Sequence, residues 1–346
     1  MKKRILCGVL LLLTTLFCSA CGSAKIETVS GADERVAEAY RQGVAYYEDK
    51  TELEGFWDVS AAYDFLGDEI YGREITAEEE ESHRGAVILS LIMTGENPYD
   101  YEGRDPVQEL LDHGTDGSFS VPVFNFLALQ AAGAEMDEET EAAYIDYCCE
   151  QMETLELGPD IGGWAAAALV RYVDDPRYEE AVASAVETYT SAVGENLTAG
   201  SMGSGGITTG CVVLGLTALT SAGLEGYDPL TDSPWAEQDP IALMYENLTE
   251  GEENVSDYYK SQYYLEFADL YHVLYEDMDM TWLRCGVTEE RLDALMEEAE
   301  TLSGDPAVEE ALAALKELSE EERSAAVPRW GRLYYDLFDA VKAASE

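Results

Sequence analysis

Three histidines, seven cysteines and a recurring Asp-Pro pair are the features of this chain with types suited to chemistry. His83 follows the acidic run Glu78-Glu79-Glu80-Glu81, His113 closes a charged segment and His272 lies in an apolar one, so they have no common pattern. A Ser-His-Asp hydrolase presents its serine on a tight strand-to-helix turn, and no such elbow occurs here. Asp174-Asp175 could share a proton as general acids do. Asp175-Pro176 nevertheless has the same form as Asp105-Pro106, Asp239-Pro240 and Asp305-Pro306. In each, Asp is suited to cap a helix whose first residue is Pro, where the missing N–H costs nothing, so the spacing predicts four helix starts. Asp277-Met278-Asp279 lacks the glycine and closing Glu of a calcium loop. Cys148, Cys149, Cys211 and Cys285 are too irregularly spaced for a disulfide framework, and are expected to be buried free thiols.

The other cysteines sit at the N-terminus. Lys2, Lys3 and Arg4 precede an apolar run over residues 5–17, too short for a membrane span of roughly 20 residues and followed by small residues, as in a signal peptide. Cys18-Ser19-Ala20-Cys21-Gly22-Ser23 resembles a bacterial lipobox, with Cys18 where Leu is usual. The resemblance implies a signal peptide over 1–20, lipidation of Cys21, a small-residue tether over 21–32 and a protein held on the extracytoplasmic face of the cell membrane.

The net charge is −51, and loss of Lys2, Lys3 and Arg4 would make the rest still more negative. Phosphate binding needs a cationic footprint, so nucleic acid is excluded as a partner. Anionic lipid repels such a surface, which leaves the membrane contact to the lipid. Yet 47% hydrophobic residues, with 22 Tyr and 5 Trp, are far too much apolar material for a disordered chain. The charge belongs on solvated faces of a folded domain.

The elements that carry these residues read as all-α, since alternation of β-branched residues is almost absent. Amphipathic acidic segments at 33–47, 106–112, 137–152, 176–190 and 240–247 take turns with segments apolar nearly all round at 57–66, 85–93, 121–131, 163–172, 208–221 and 261–275. A helix apolar on every side must be buried on every side, whereas one with a single stripe faces water. The alternation recurs every roughly 30 to 55 residues, the mark of repeated helix pairs. Helices over 288–301, 305–318 and 332–344 form a C-terminal extension, assigned to 276–346.

Four stretches carry a wider resemblance. They are Asp116-Gly117-Ser118-Phe119 leading to Phe124, Asp160-Ile161-Gly162-Gly163-Trp164, Gly206-Ile207-Thr208-Thr209 with the loop Gly226-Tyr227-Asp228-Pro229, and Ser261-Gln262-Tyr263-Tyr264 leading to Tyr275. Together they resemble the α/α-toroid superfamily of terpenoid cyclases and protein prenyltransferases. The likeness is greatest to prenyltransferase-repeat surface lipoproteins of Gram-positive bacteria, related to the helical barrel of the cobalamin carriers. It spans 33–275 and implies about six helix pairs around a central cavity. The Asp-x-Asp-Asp acid of triterpene cyclases is missing. For the zinc site of the prenyltransferases, Cys211, Asp269 and His272 are weak candidates, because the acidic ligand position holds Thr209 and a third good ligand is wanting.

What the resemblance leaves is a cavity lined by Trp57, Tyr63, Phe119, Phe124, Trp164, Tyr172, Tyr263, Tyr264, Tyr271, His272 and Tyr275, suited to a small apolar or aromatic ligand. A corrinoid is one candidate by analogy with the carriers, although the β-rich domain that accompanies their barrel is lacking. The leading expectation is a lipid-anchored, non-catalytic binding protein for a small molecule or a surface protein. The alternative is an enzyme of the cyclase or prenyltransferase type acting on an isoprenoid or cell-envelope lipid.

Overall fold

In the computed structural model the described residues are 29–75, 83–194, 197, 206–250, 257–302 and 304–345. The expected signal peptide, Cys21, most of the tether and the Glu78-Glu79-Glu80-Glu81 run lie outside them. What is described is all-α apart from two-residue parallel strands at Glu52–Leu53 and Glu74–Ile75.

Six helices are apolar on nearly every side: α2 (Gly55–Leu66), α3 (Arg84–Met93), α5 (Pro122–Ala132), α7 (Pro159–Leu169), α9 (Gly206–Ser221) and α12 (Asp257–Glu276). Burial follows from that composition. Every residue of α5 is buried, and in α9 so is every residue from Thr208 to Leu219. Each of these helices packs on the next, α2 on α3, α3 on α5, α5 on α7, α7 on α9 and α9 on α12, and α12 returns to pack on α2.

Paired contacts show that α12 and α2 run in the same sense. Ser261 donates to Asp58 at 3.0 Å near the starts of α12 and α2, while His272 meets the Asp64 carbonyl at 3.0 Å near their ends. Gln130 donates to the Ala168 carbonyl at 2.9 Å late in α5 and α7. Glycine lets two of the seams close. A Cβ on Gly163 would lie 2.1 Å from the Cys211 carbonyl oxygen, and one on Gly85 would lie 2.4 Å from that of Phe124.

The amphipathic helices α1 (Glu34–Glu48), α4 (Pro106–His113), α6 (Glu138–Thr154), α8 (Glu179–Gly194) and α11 (Pro240–Glu250) rest on these seams. Between them α1 touches α12, α2 and α11, α4 touches α3 and α5, α6 touches α5 and α7, α8 touches α6 and α7, and α11 touches α9 and α12. Aspartates cap several helix starts, at Asp-Pro pairs as expected and at Asp137 besides. Asp105 accepts from the backbone N–H of Gln108 and Asp137 from that of Thr140, and Asp305, which opens a C-terminal helix, accepts from Val308. Asp175-Pro176 departs from the expectation. There Asp175 accepts from the Arg177 N–H at 2.9 Å to build a turn, and α8 begins three residues after Pro176.

Three short helices were not expected from the sequence: α10 (Trp235–Gln238), α13 (Thr281–Cys285) and α16 (Glu320–Arg323). Beyond α13, α14 (Glu289–Thr301), α15 (Pro306–Lys316) and α17 (Gly331–Ser345) pack on one another. Two straps join this segment to the end of α5, where Val287 donates to the Ala131 carbonyl and Gly331 to that of Gly133, both at 2.8 Å. A Cβ on Gly286 would press on Ala131 at 2.7 Å, and one on Gly331 would collide with the Ala132 carbonyl.

Candidate functional site

In the cycle of six helices α2 and α7 are three steps apart, so a contact between them spans the middle. Trp57 of α2 and Trp164 of α7 make that contact, their ring centroids 5.3 Å apart. Phe124 of α5 joins Trp164 at 5.1 Å, and Trp282 of α13 meets it at 5.3 Å from the end where the helices finish. Such tilted ring pairs are favourable beyond their burial. The middle of the molecule is therefore occupied by a cluster of aromatic rings, with Phe56 and Trp57 half-buried at its other end.

One wall is polar. Gln262 of α12 donates to the Cys211 sulfur and to Glu266, each at 3.1 Å. Glu266 fits because Gly210 opposite has no side chain, and a Cβ there would sit 1.9 Å from its carboxylate. Burial pushes the Glu266 carboxyl well above the usual range, which favours an uncharged acid, and it raises the Cys211 thiol too. One turn on, Asp269 accepts from the backbone N–H of Thr281 at 2.7 Å and from its hydroxyl at 2.9 Å. Those bonds favour its charged form, but burial outweighs them and lifts its pKa to about 7. Asp269 thereby supplies the cap that α13 lacks from its own Met280. Arg284 of the same short helix pairs with the buried Asp64 of α2.

Of the eleven residues expected around a cavity, Trp57, Phe124 and Trp164 meet in the middle, and the others serve the seams. Phe119 stacks on His113 at 3.6 Å beneath Arg84. Tyr172 donates to Glu141 at 3.2 Å and stacks on Phe126, while Tyr63 accepts from Arg291 at 3.1 Å. Tyr263 abuts Gly206, and Tyr264 packs edge-on to Tyr47 and Phe65. Tyr271 stacks on Tyr40 at 4.1 Å and its hydroxyl accepts from the Val29 N–H, as that of Tyr275 does from Asp33. His272 lies between the Asp64 carbonyl and Glu276.

The zinc candidates do not converge. Cys211 faces Gln262, Asp269 holds Thr281 and His272 is engaged as just described, and among the described residues no group of three or more His, Cys, Asp or Glu could hold a metal ion. Cys148, Cys149, Cys211 and Cys285 are all free and buried.

Residues that sequence reasoning missed include Trp282 and Glu266. Trp282 sits on a helix too short to show a period, whereas Glu266 and Asp269 had a readable signal as acids inside an otherwise apolar helix. Also missed was a cleft of about 650 Å³ between α14, α17 and the turns that follow α2 and α3. Tyr71, Leu295, Tyr334 and Phe338 contribute to its lining. Its cations are already paired, Arg291 with Asp68 and Lys342 with Glu96.

Compared with known proteins, the chain matches no family model, no curated protein and no solved structure. Among the described residues no helix is long and apolar enough to cross a membrane.

Proposed function

We propose that this chain is a lipid-anchored, extracytoplasmic and non-catalytic binding protein, built as an α/α toroid, whose central aromatic chamber takes a small, uncharged, apolar or aromatic ligand. The return of α12 onto α2 supports the toroid, and the one-sided helices seated on the seams supply its outer layer. The observation that carries the function is the meeting of Trp57, Phe124 and Trp164 across the middle, near a Glu266 whose carboxyl burial pushes well above its ordinary range. Flat faces next to a buried hydrogen-bonding acid suit a flat ligand with a polar atom at its edge. Groups suited to catalysis are committed to structure instead: Asp269 holds Thr281 and Asp175 holds Arg177. That favours binding over the cyclase or prenyltransferase alternative.

The cleft of about 650 Å³ supports a second reading, binding at the rim, because its size suits a small molecule. Thermal shift of the full chain against uncharged polycyclic compounds, with a free corrinoid included, tests both. A ligand at 100 times its dissociation constant adds about 2.7 kcal/mol of apparent stability. The chamber predicts that Trp164→Ala abolishes the shift and Phe338→Ala preserves it, and the rim reading predicts the reverse. A panel with no shift removes the small-molecule function.

A further inference from the structure

We propose that α13 is a displaceable plug, which seals one end of the aromatic chamber and swings out as a unit to admit the ligand. This rests on the chamber being the binding site, and it adds how that site opens.

At five residues α13 is too short to hold a helical form alone, so its place depends on its seat. A joint flanks it on either side. Before it, residues 277–279 form an exposed connection in which Asp277 adopts a left-handed conformation with φ 55°. After it, Gly286 is pressed against Ala131 where no side chain would fit. Between these joints Trp282 enters the middle of the molecule and meets Trp164.

The seat is unusually polar for so buried a place. Thr281 hangs on Asp269, and Arg284 reaches both Asp64 and the Thr281 hydroxyl. In addition Trp282 Nε1 and Asp269 Oδ2 are buried with no hydrogen-bond partner. A buried ion pair and unpartnered polar atoms cost free energy that hydration returns once the segment leaves. The gap between seated and open forms is thus narrower than for an equally buried apolar segment. The α7 and α9 seam offers the contrast, since Gly163 and Gly215 there bring backbone against backbone. Segments of low local stability open without global unfolding, and a minor open form can be made dominant by a ligand.

The chain carries its own reporter. Cys285 lies on the plug, while Cys211 and Cys148 are equally buried, in α9 and α6; their exposures are 2%, 3% and 0%. Alkylation of the native full chain with N-ethylmaleimide, mapped by peptide mass spectrometry, should modify Cys285 about tenfold or more faster than the other two. Thr281→Val combined with Arg284→Gln should accelerate Cys285 further and leave Cys148 and Cys211 unchanged. Should that variant fail to fold, the comparison within the native chain still decides. Cys285 reacting no faster than Cys211 would overturn the plug.

Nile red, an uncharged dye, separates this from the reading beneath it. Saturable binding lost in Trp164→Ala, together with fast Cys285 alkylation, supports both. Binding with Cys285 protected throughout sinks the plug and leaves the chamber, whereas fast alkylation without binding sinks the chamber as the site.

Discussion

Asp269 is the residue whose chemistry is most exposed to test. Its pKa is lifted from the ordinary carboxylate range to about 7, with burial the main cause. An acid raised in the folded state binds its proton more tightly there than in the unfolded chain. Its contribution to stability is complete below about pH 4 and is lost as pH rises through about 7. Asp269→Asn keeps an acceptor for Thr281 without the charge. Denaturant unfolding of both proteins from pH 4 to 8 should show the native chain losing ground to the variant by up to about 4 kcal/mol. A constant difference across that range would refute the assignment.

Glu141 is a fully buried acid held by Arg329 at 2.8 Å, Arg177 at 3.2 Å and the Tyr172 hydroxyl. Both arginines are partly exposed, which screens the pairs, so Glu141→Gln should cost only about 1–3 kcal/mol. Calorimetric melting measures it. No loss would mean that the arginines solvate freely.

At the scale of elements, α7 and α9 meet backbone against backbone. Gly163→Ala would drive its Cβ to 2.1 Å from the Cys211 carbonyl oxygen, and rigid backbone cannot yield as a flexible side chain would. The expected cost is about 1–3 kcal/mol, read as a lower melting temperature, and an unchanged melting point would contradict the close approach.

The helices on either side of this seam were readable in the sequence because being apolar all round leaves no choice but burial, as in the stretch from Thr208 to Leu219. Asp-Pro marked three of its four helix starts, and failed at Asp175 because Arg177 draws that carboxylate into a turn. Position within the site was less legible. Tyr63 and Tyr271 sit on apolar helices as Trp164 does, but a helix apolar on every side has no stripe to show which face turns inward. Nor could periodicity reveal α13, whose five residues complete little more than one turn.

At the scale of the whole molecule, the net charge is −51, and among the described residues most Asp and Glu side chains are not buried. Self-repulsion among those charges opposes the compact form, and salt screens it. The melting temperature should accordingly rise as sodium chloride is increased from low to moderate concentration. A fall would show that the cross-chain ion pairs, such as Arg35 with Asp239, outweigh the repulsion.

Everything proposed about a shared interior depends on the first and last of the buried helices being neighbours. Asp58 and Ser261 lie 203 residues apart in sequence and touch at 3.0 Å. Cysteines placed at both positions should be joined within one molecule by a short thiol-to-thiol crosslinker, in the native state and with high yield. A pair that stays unlinked while the protein remains folded would contradict the closure of α12 onto α2.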